Sequence, residues 1–146
     1  MIVLDTNVLS EAIKPVPASD VLHWIASQPA SSLFTTTITQ AELLLGIELM
    51  PAGKRRNALN AVVEGILNED FRGRVLPFDT DAARLYARIV SGRRAAGRPM
   101  QEMDAQIAAI ARSRGAALAT RNTTDFERCS VALVDPWNAA KLKKSY

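Results

Sequence analysis

Residues 1–11, MIVLDTNVLSE, decide the fold. The first four residues form a continuous apolar run that ends at Asp5, which is typical of a strand buried on both faces. Such strands belong to parallel sheets that helices cover on both sides. The stretch also raises a question, because an acidic side chain directly follows a buried strand.

The rest of the chain alternates short apolar strands with helices. Further strands are predicted in SSLFTTTITQ (31–40), VLPFD (75–79), AALAT (116–120) and VALVD (131–135). Helices are predicted over 19–28 with Ser19 or Asp20 as the N-cap, 41–50, 53–68, from Asp79 or Thr80 to Gly97, and 102–114. This alternation predicts an α/β domain with a mostly parallel sheet between two helical layers.

Length and composition restrict the class of protein. The 146 residues fit one domain, predicted over residues 1–137 and followed by a short basic tail, 138–146. With 48% hydrophobic and 23% charged residues, the composition excludes an intrinsically disordered chain. No apolar run approaches the roughly 20 residues that cross a bilayer, and the start is too short for a signal peptide, so we predict a cytoplasmic protein. The single Cys129 excludes an internal disulfide and predicts a buried, inert thiol.

Four acidic residues are predicted at one edge of the sheet. Asp5 ends the first strand, and Asp125 lies in the loop after the strand AALAT. Glu42 and Asp104 are predicted in the first turns of two helices. Because ligands bind beyond the carboxyl ends of parallel strands, we expect these four side chains to lie together.

Each of the four also has a purely structural interpretation. Thr39 and Glu42 have the spacing of a capping box, in which Glu42 bonds back to the Thr39 amide. Asp104 would complement a helix dipole, and Asp5 and Asp125 would cap or stabilise turns. Taken singly, no member of the set establishes a site.

Taken together, the four carboxylates predict a metal site. Converging carboxylates repel and raise one another's pKa unless a cation neutralises them. Oxygen ligands without Cys or His partners favour Mg²⁺, with Mn²⁺ as the alternative, and the lone His23 is not expected to be a ligand. Mg²⁺ retains water and leaves positions for phosphate oxygens, which points to phosphoryl chemistry.

Basic residues are clustered along a chain whose net charge is +3. One cluster is Lys54, Arg55 and Arg56, and the other is Arg93, Arg94 and Arg98. Both suit an anionic partner, but solvated helix faces carry similar runs. Charge alone leaves these alternatives open.

Four motifs, DTNVLSE (5–11), TITQAELLLGIE (37–48), GRPMQEMDAQIAAIA (97–111) and ATRNTTDF (119–126), follow one another in this order. With them, the chain resembles the PIN-domain ribonucleases over residues 1–137, specifically VapC-type toxins of the FitB-like branch. The resemblance implies a three-layer α/β/α fold with a five-stranded sheet. It also implies a metal-dependent endoribonuclease that hydrolyses RNA with metal-activated water, forms a homodimer, and is neutralised by a cognate VapB-type antitoxin.

The resemblance assigns roles position by position. Asp5, Glu42, Asp104 and Asp125 match the acidic quartet that holds the metal and catalyses cleavage, with Thr120 as a further catalytic residue. The auxiliary polar residues are Thr6, Asn7 and Asn122. The candidate contacts to RNA phosphates are Arg93, Arg94, Arg98, Arg121, Lys54, Arg55 and Arg56.

Three rival hypotheses remain open at this stage. The protein could act chiefly as a binding module of a toxin–antitoxin complex that represses its own promoter, in which case operator DNA would be bound only through the antitoxin. An Asp followed by Thr at a strand end also occurs in phosphotransfer domains, although Arg121 stands here where those domains need Lys. Finally, the fold could be kept without activity.

The apolar helices at 39–50 and 57–67 would serve a dimer, an antitoxin groove or the core.

Overall fold

In the computed structural model, which describes residues 1–139, the five strands form one sheet in the order β3-β2-β1-β4-β5, with every neighbouring pair parallel. The strands are β1 (Ile2–Leu4), β2 (Leu33–Thr36), β3 (Val75–Leu76), β4 (Ala117–Ala119) and β5 (Leu133–Val134). All five strand predictions and the α/β class are confirmed. Most of the predicted basic tail, residues 140–146, lies outside the described residues.

The helices are α1 (Thr6–Ala12), α2 (Ser19–Ser27), α3 (Thr37–Glu48), α4 (Lys54–Gly65), α5 (Thr80–Ala95) and α6 (Glu102–Ser113). A π-helical turn, Ile66–Asp70, continues α4. None of these helices, within residues 1–139, has the length and apolar character needed to cross a membrane. Helix α1 is not among the predicted helices, although Asp5, its N-cap, is a typical residue for a helix start.

Two predicted helix starts were wrong. The N-cap of α2 is Ala18, not Ser19 or Asp20, and no side chain caps this helix. Helix α3 begins at Thr37, earlier than predicted, because the Thr36 hydroxyl accepts a hydrogen bond from the Thr39 amide and starts the helix inside the threonine run. Of the two predicted caps of α5, the structure shows Asp79, whose carboxylate accepts from the Ala82 amide.

The two faces of the sheet pack against different helices. Val3 of β1 and Leu118 of β4 lie in an apolar cluster with residues of α5 and α6. The next residue of β1, Leu4, lies in a second cluster with Val8 of α1 and Val21 of α2. Because neighbouring residues of a strand point to opposite faces, the sheet separates two helical layers, as predicted.

The carboxyl ends of β1 and β4 meet at the centre of the sheet. The Asp5 amide, directly after β1, donates to the Ala119 carbonyl of β4 at 3.1 Å. The chain leaves β1 toward β2 on one side, whereas β4 pairs on the other side, so this is the topological switch point of the sheet. Ligand sites of parallel α/β sheets form at such points.

Candidate active site

Asp5 occupies the switch point and starts α1. Its Oδ1 accepts a hydrogen bond from the Val8 amide at 3.0 Å, and its side chain is almost fully buried. The pKa of Asp5 is raised to about 6, mainly by burial and to a smaller extent by the charge of Asp104, while hydrogen bonds from Thr120 and Val8 oppose the rise. Asp5 is therefore an N-cap, as one alternative held, but a cap that is buried among other acids.

A cavity of about 360 Å³ opens above Asp5. The four predicted carboxylates and all three predicted auxiliary residues line it: Asp5, Glu42, Asp104, Asp125, Thr6, Asn7 and Asn122. The structure therefore brings together residues from α1, α3, α6 and the loop after β4. Pro99, Met100, Ile107 and Phe126 complete the wall.

Glu42 does not form the capping box that its spacing allowed. The N-cap of α3 is Thr36, so Glu42 lies in the second turn of the helix and not, as predicted, in the first. Its Oε1 accepts a hydrogen bond from the Thr6 hydroxyl of α1 at 2.9 Å. The Glu42 side chain is thus held toward the cavity by another element of the fold.

A threonine network that the sequence analysis missed supports this arrangement. The Thr6 and Thr39 hydroxyls lie 3.1 Å apart, and those of Thr36 and Thr39 lie 3.4 Å apart. Thr36 and Thr39 are fully buried. The available signal was the run TTTIT, since several hydroxyls at the end of a buried strand need internal partners.

Asp104 and Asp125 line the cavity from two different elements of the fold. Asp104 lies in the first turn of α6, and its pKa is raised by burial and by the charges of Glu42 and Asp125. Asp125 lies on a single 3₁₀ turn, Thr123–Phe126, which the buried ring of Phe126 anchors in the core. The repulsion of the Asp104 charge by Glu42 and Asp125 is the effect that the sequence predicted for converging carboxylates.

Thr120 does not line the cavity. It is fully buried at the end of β4, where its hydroxyl lowers the pKa of Asp5 and accepts a hydrogen bond from the Asn122 amide at 3.2 Å. This position suits a residue that orients Asp5 and the following loop, rather than one that touches a substrate.

The oxygen-rich lining fits a hard divalent cation. Among residues 1–139, no group of three or more His, Cys, Asp or Glu side chains is close enough to hold one ion between them. Mg²⁺ needs only one or two carboxylates and otherwise retains water, so a spacious cavity with well-separated acids matches it better than a site for a fully protein-coordinated ion.

Arg93, one of the predicted phosphate contacts, does not lie on an exposed helix face. It is buried in the wall of the cavity, with a side chain that makes no ion pair in the described part of the chain. Its guanidinium donates to the Arg98 carbonyl, to the Asp125 carbonyl at 3.1 Å and to the Glu127 carbonyl at 2.6 Å. Arg93 therefore holds the backbone of the turn that carries Asp125.

The other basic candidates are spread over several surfaces. Arg98 pairs with Glu127, and Arg56 pairs with Glu48. Lys54 and Arg55 line an apolar groove away from the acidic cavity. Arg94 is exposed on α5. Only Arg121 lies in the loop that also supplies Asn122 and Asp125 to the cavity.

Replacing Arg93 with Met is expected to destabilise the protein by about 2–4 kcal/mol, because three backbone carbonyls lose a charged donor in a buried site. Urea unfolding measures the effect. Arg94→Met is the matched control, since Arg94 is the exposed neighbour of Arg93. Equal stability of the two variants would show that Arg93 does not anchor the turn.

A comparison with models of protein families places the chain in a known family. The model of the PIN domain matches residues 2–131, and the chain belongs to the PIN-domain family. The acidic cavity therefore lies at the switch point of a PIN fold. The predicted domain limit at residue 137 stays a prediction.

Individual relatives match over nearly the whole chain. The VapC ribonuclease Y4jK of Sinorhizobium fredii is 44% identical over 140 residues, 96% of this chain and 100% of that protein. Toxin FitB of Neisseria gonorrhoeae is 39% identical over 138 residues, 94% of this chain and 99% of that protein. Among solved structures, FitAB bound to an IR36 DNA fragment superposes with a TM-score of 0.88 at 39% identity, covering 94% and 96% of the two chains.

Proposed function

We propose that the protein is a toxin of a toxin–antitoxin pair that cleaves RNA internally with Mg²⁺, or with Mn²⁺ in its place. The observation that carries the proposal is the single cavity lined by Asp5, Glu42, Asp104 and Asp125 at the switch point of a PIN fold. The names of the relatives, a VapC ribonuclease and toxin FitB, agree with it.

Asp5 and Asp104 are the residues that would hold the ion, directly or through water, while Glu42 and Asp125 complete the acidic lining. A divalent cation held there would neutralise charge on the phosphate and lower the pKa of a water for hydrolysis. Thr6 fixes the Glu42 carboxylate, and Thr120 and the Val8 amide fix Asp5, so the acids are oriented before a substrate arrives. The expected products carry a 5′-phosphate and a 3′-hydroxyl.

The test is cleavage of a mixed tRNA and rRNA pool by the antitoxin-free protein with Mg²⁺, with Mn²⁺ and with EDTA. Cutting with either cation and none with EDTA is the expected result, and end-labelling would identify the products. Cleavage that persists in EDTA, or products with 2′,3′-cyclic phosphates, would contradict the proposed chemistry.

An apolar groove offers a site for the antitoxin. A groove of about 840 Å³ runs between the end of α1 and α4, with Ile13, Pro15, Met50, Leu59 and Val62 among its lining residues. Lys54 and Arg55 also line it, so it fits an apolar segment with acidic flanks. The solved FitAB assembly bound to DNA agrees with a two-component complex, in which the antitoxin would supply contacts to operator DNA.

Val62→Asp is expected to weaken antitoxin binding by at least about 30-fold, because a charge is placed at the centre of an apolar contact. Val62 is 48% exposed, so the variant should fold normally. Calorimetric titration with the cognate antitoxin measures the affinity, and RNA cleavage by the free protein is the control. An unchanged affinity would place the antitoxin elsewhere.

We also propose a homodimer. Leu45 of α3 and Leu49, the C-cap of this helix, are exposed one turn apart, at 53% and 77%, and form an apolar stripe outside the groove lining. Covering such a stripe is what a second copy of the chain would do. Light scattering coupled to size exclusion would give the mass, and Leu45→Glu should convert a dimer to a monomer.

A further inference from the structure

A second cavity adjoins the acidic one. It measures about 520 Å³ and shares the lining residues Asn7 and Asn122 with the acidic cavity, so the two lie side by side. Its other lining residues are Ser10, Glu11, Lys14, Arg121 and Trp137. Unlike the acidic cavity, it contains two basic side chains and one acid.

The charges in this second cavity leave one cation available. Glu11 is nearly buried, and its carboxylate binds Lys14 Nζ at 2.6 Å and accepts from the Ala18 amide at 3.0 Å. These two contacts, with the charge of Arg121, lower the pKa of Glu11. Lys14 and Glu11 therefore neutralise each other, and within residues 1–139 Arg121 has neither an ion pair nor a side-chain hydrogen bond.

Trp137 holds Arg121 in place. The Arg121 guanidinium carbon lies 5.0 Å from the centre of the Trp137 ring. The ring itself packs against the apolar cluster beneath α1 and α2, and the Trp137 amide donates to Asp135 Oδ1 at 2.9 Å. An arginine stacked on a fixed ring loses little rotamer freedom on binding and keeps its edge donors available.

We propose that this second cavity binds a backbone phosphate of the RNA strand next to the scissile one, with the Arg121 guanidinium as its ligand and Trp137 as the support that positions it. This inference rests on the proposed function, since it describes how the strand leaves the acidic cavity. The contact recognises phosphate and not base identity, because a guanidinium that binds phosphate oxygens reads no base edge.

The test is fluorescence anisotropy with a labelled oligouridylate, in EDTA so that no cleavage occurs, over a series of KCl concentrations. Arg121→Gln should weaken binding by about 3- to 10-fold at low salt and reduce the slope of log affinity against log salt by about 0.7, as expected for one phosphate contact on a single strand. Arg88→Gln, an exposed change of the same charge on α5 that lines neither cavity, should have a smaller effect and leave the slope unchanged.

Two further variants separate this role from general charge. Arg121→Lys keeps the charge without the planar stack and should restore the slope with only part of the affinity, whereas Trp137→Leu should weaken binding in the presence of an intact Arg121. If Arg121→Gln and Arg88→Gln behave alike, the inference is wrong. Because binding is measured without catalysis, a protein that fails to cut RNA would overturn the proposed function while this result stands separately.

Discussion

Replacing Asp104 with Asn lowers the rate of RNA cleavage by at least about 100-fold, the size expected when a group that stabilises transition-state charge is removed. Asn keeps the shape of the side chain but removes the negative charge that attracts a divalent cation. Asp104 is oriented into the cavity from the first turn of α6, so the substitution leaves the core of this helix unchanged. Initial rates at saturating Mg²⁺ measure the effect.

Asp81→Asn is the matched control for this experiment. Asp81 also lies in the first turn of a helix, α5, but its side chain is 78% exposed and pairs weakly with Arg84 at 3.7 Å. The control should cleave RNA at the wild-type rate. If Asp104→Asn retains activity within a few-fold of the control, the acidic cavity is not where cleavage occurs.

In the metal-free protein, Asp5→Asn raises the free energy of unfolding by about 1–3 kcal/mol at neutral pH. The pKa of Asp5 rises from an ordinary 3.8 to about 6 on folding. Between these two pH values the folded state binds more protons at Asp5 than the unfolded state. The contribution of Asp5 to the free energy of unfolding therefore falls as the pH rises through this window, and it is constant above the window. Asn removes this penalty and still accepts the Val8 amide as an N-cap.

The measurement is urea unfolding in EDTA at pH 3.5 and pH 7.5. The gain from Asp5→Asn should be absent at the lower pH and complete at the higher one, whereas Asp5→Ala should lie below Asp5→Asn because it loses the cap. Added Mg²⁺ should stabilise the wild type and not the Asn variant. A destabilised Asn variant at pH 7.5 would show that the buried charge is compensated within the chain.

The sheet and the acidic set were predictable because each depends on a local pattern. Buried parallel strands appear as short apolar runs, and their order along the chain places Asp5 and Asp125 at the same edge. Glu42 and Asp104 follow from the helix starts nearby. What these four residues do in solution is not encoded in their spacing, and their roles as metal ligands remain a prediction.

Other parts of the site depend on contacts between distant segments and were not predictable from local pattern. The capping box of Thr39 and Glu42 was a sound local hypothesis. In the structure Thr36 caps α3, and the Glu42 carboxylate accepts a hydrogen bond from Thr6 instead. Arg93 resembled its exposed neighbour Arg94 in the sequence, yet the packing of α5 turns it toward the carbonyls around Asp125. Sequence periodicity does not reveal which arginine of a pair is enclosed by a loop far along the chain.

The central position of β1 has a consequence for the order in which the protein is made. This strand is synthesised long before its hydrogen-bond partner β4 and the turn carrying Asp125. Long-range parallel pairing of this kind completes late in folding. A nascent chain therefore has no complete acidic cavity until β4 and the turn carrying Asp125 have emerged, and we expect the RNA of the ribosome that makes it to be protected until then.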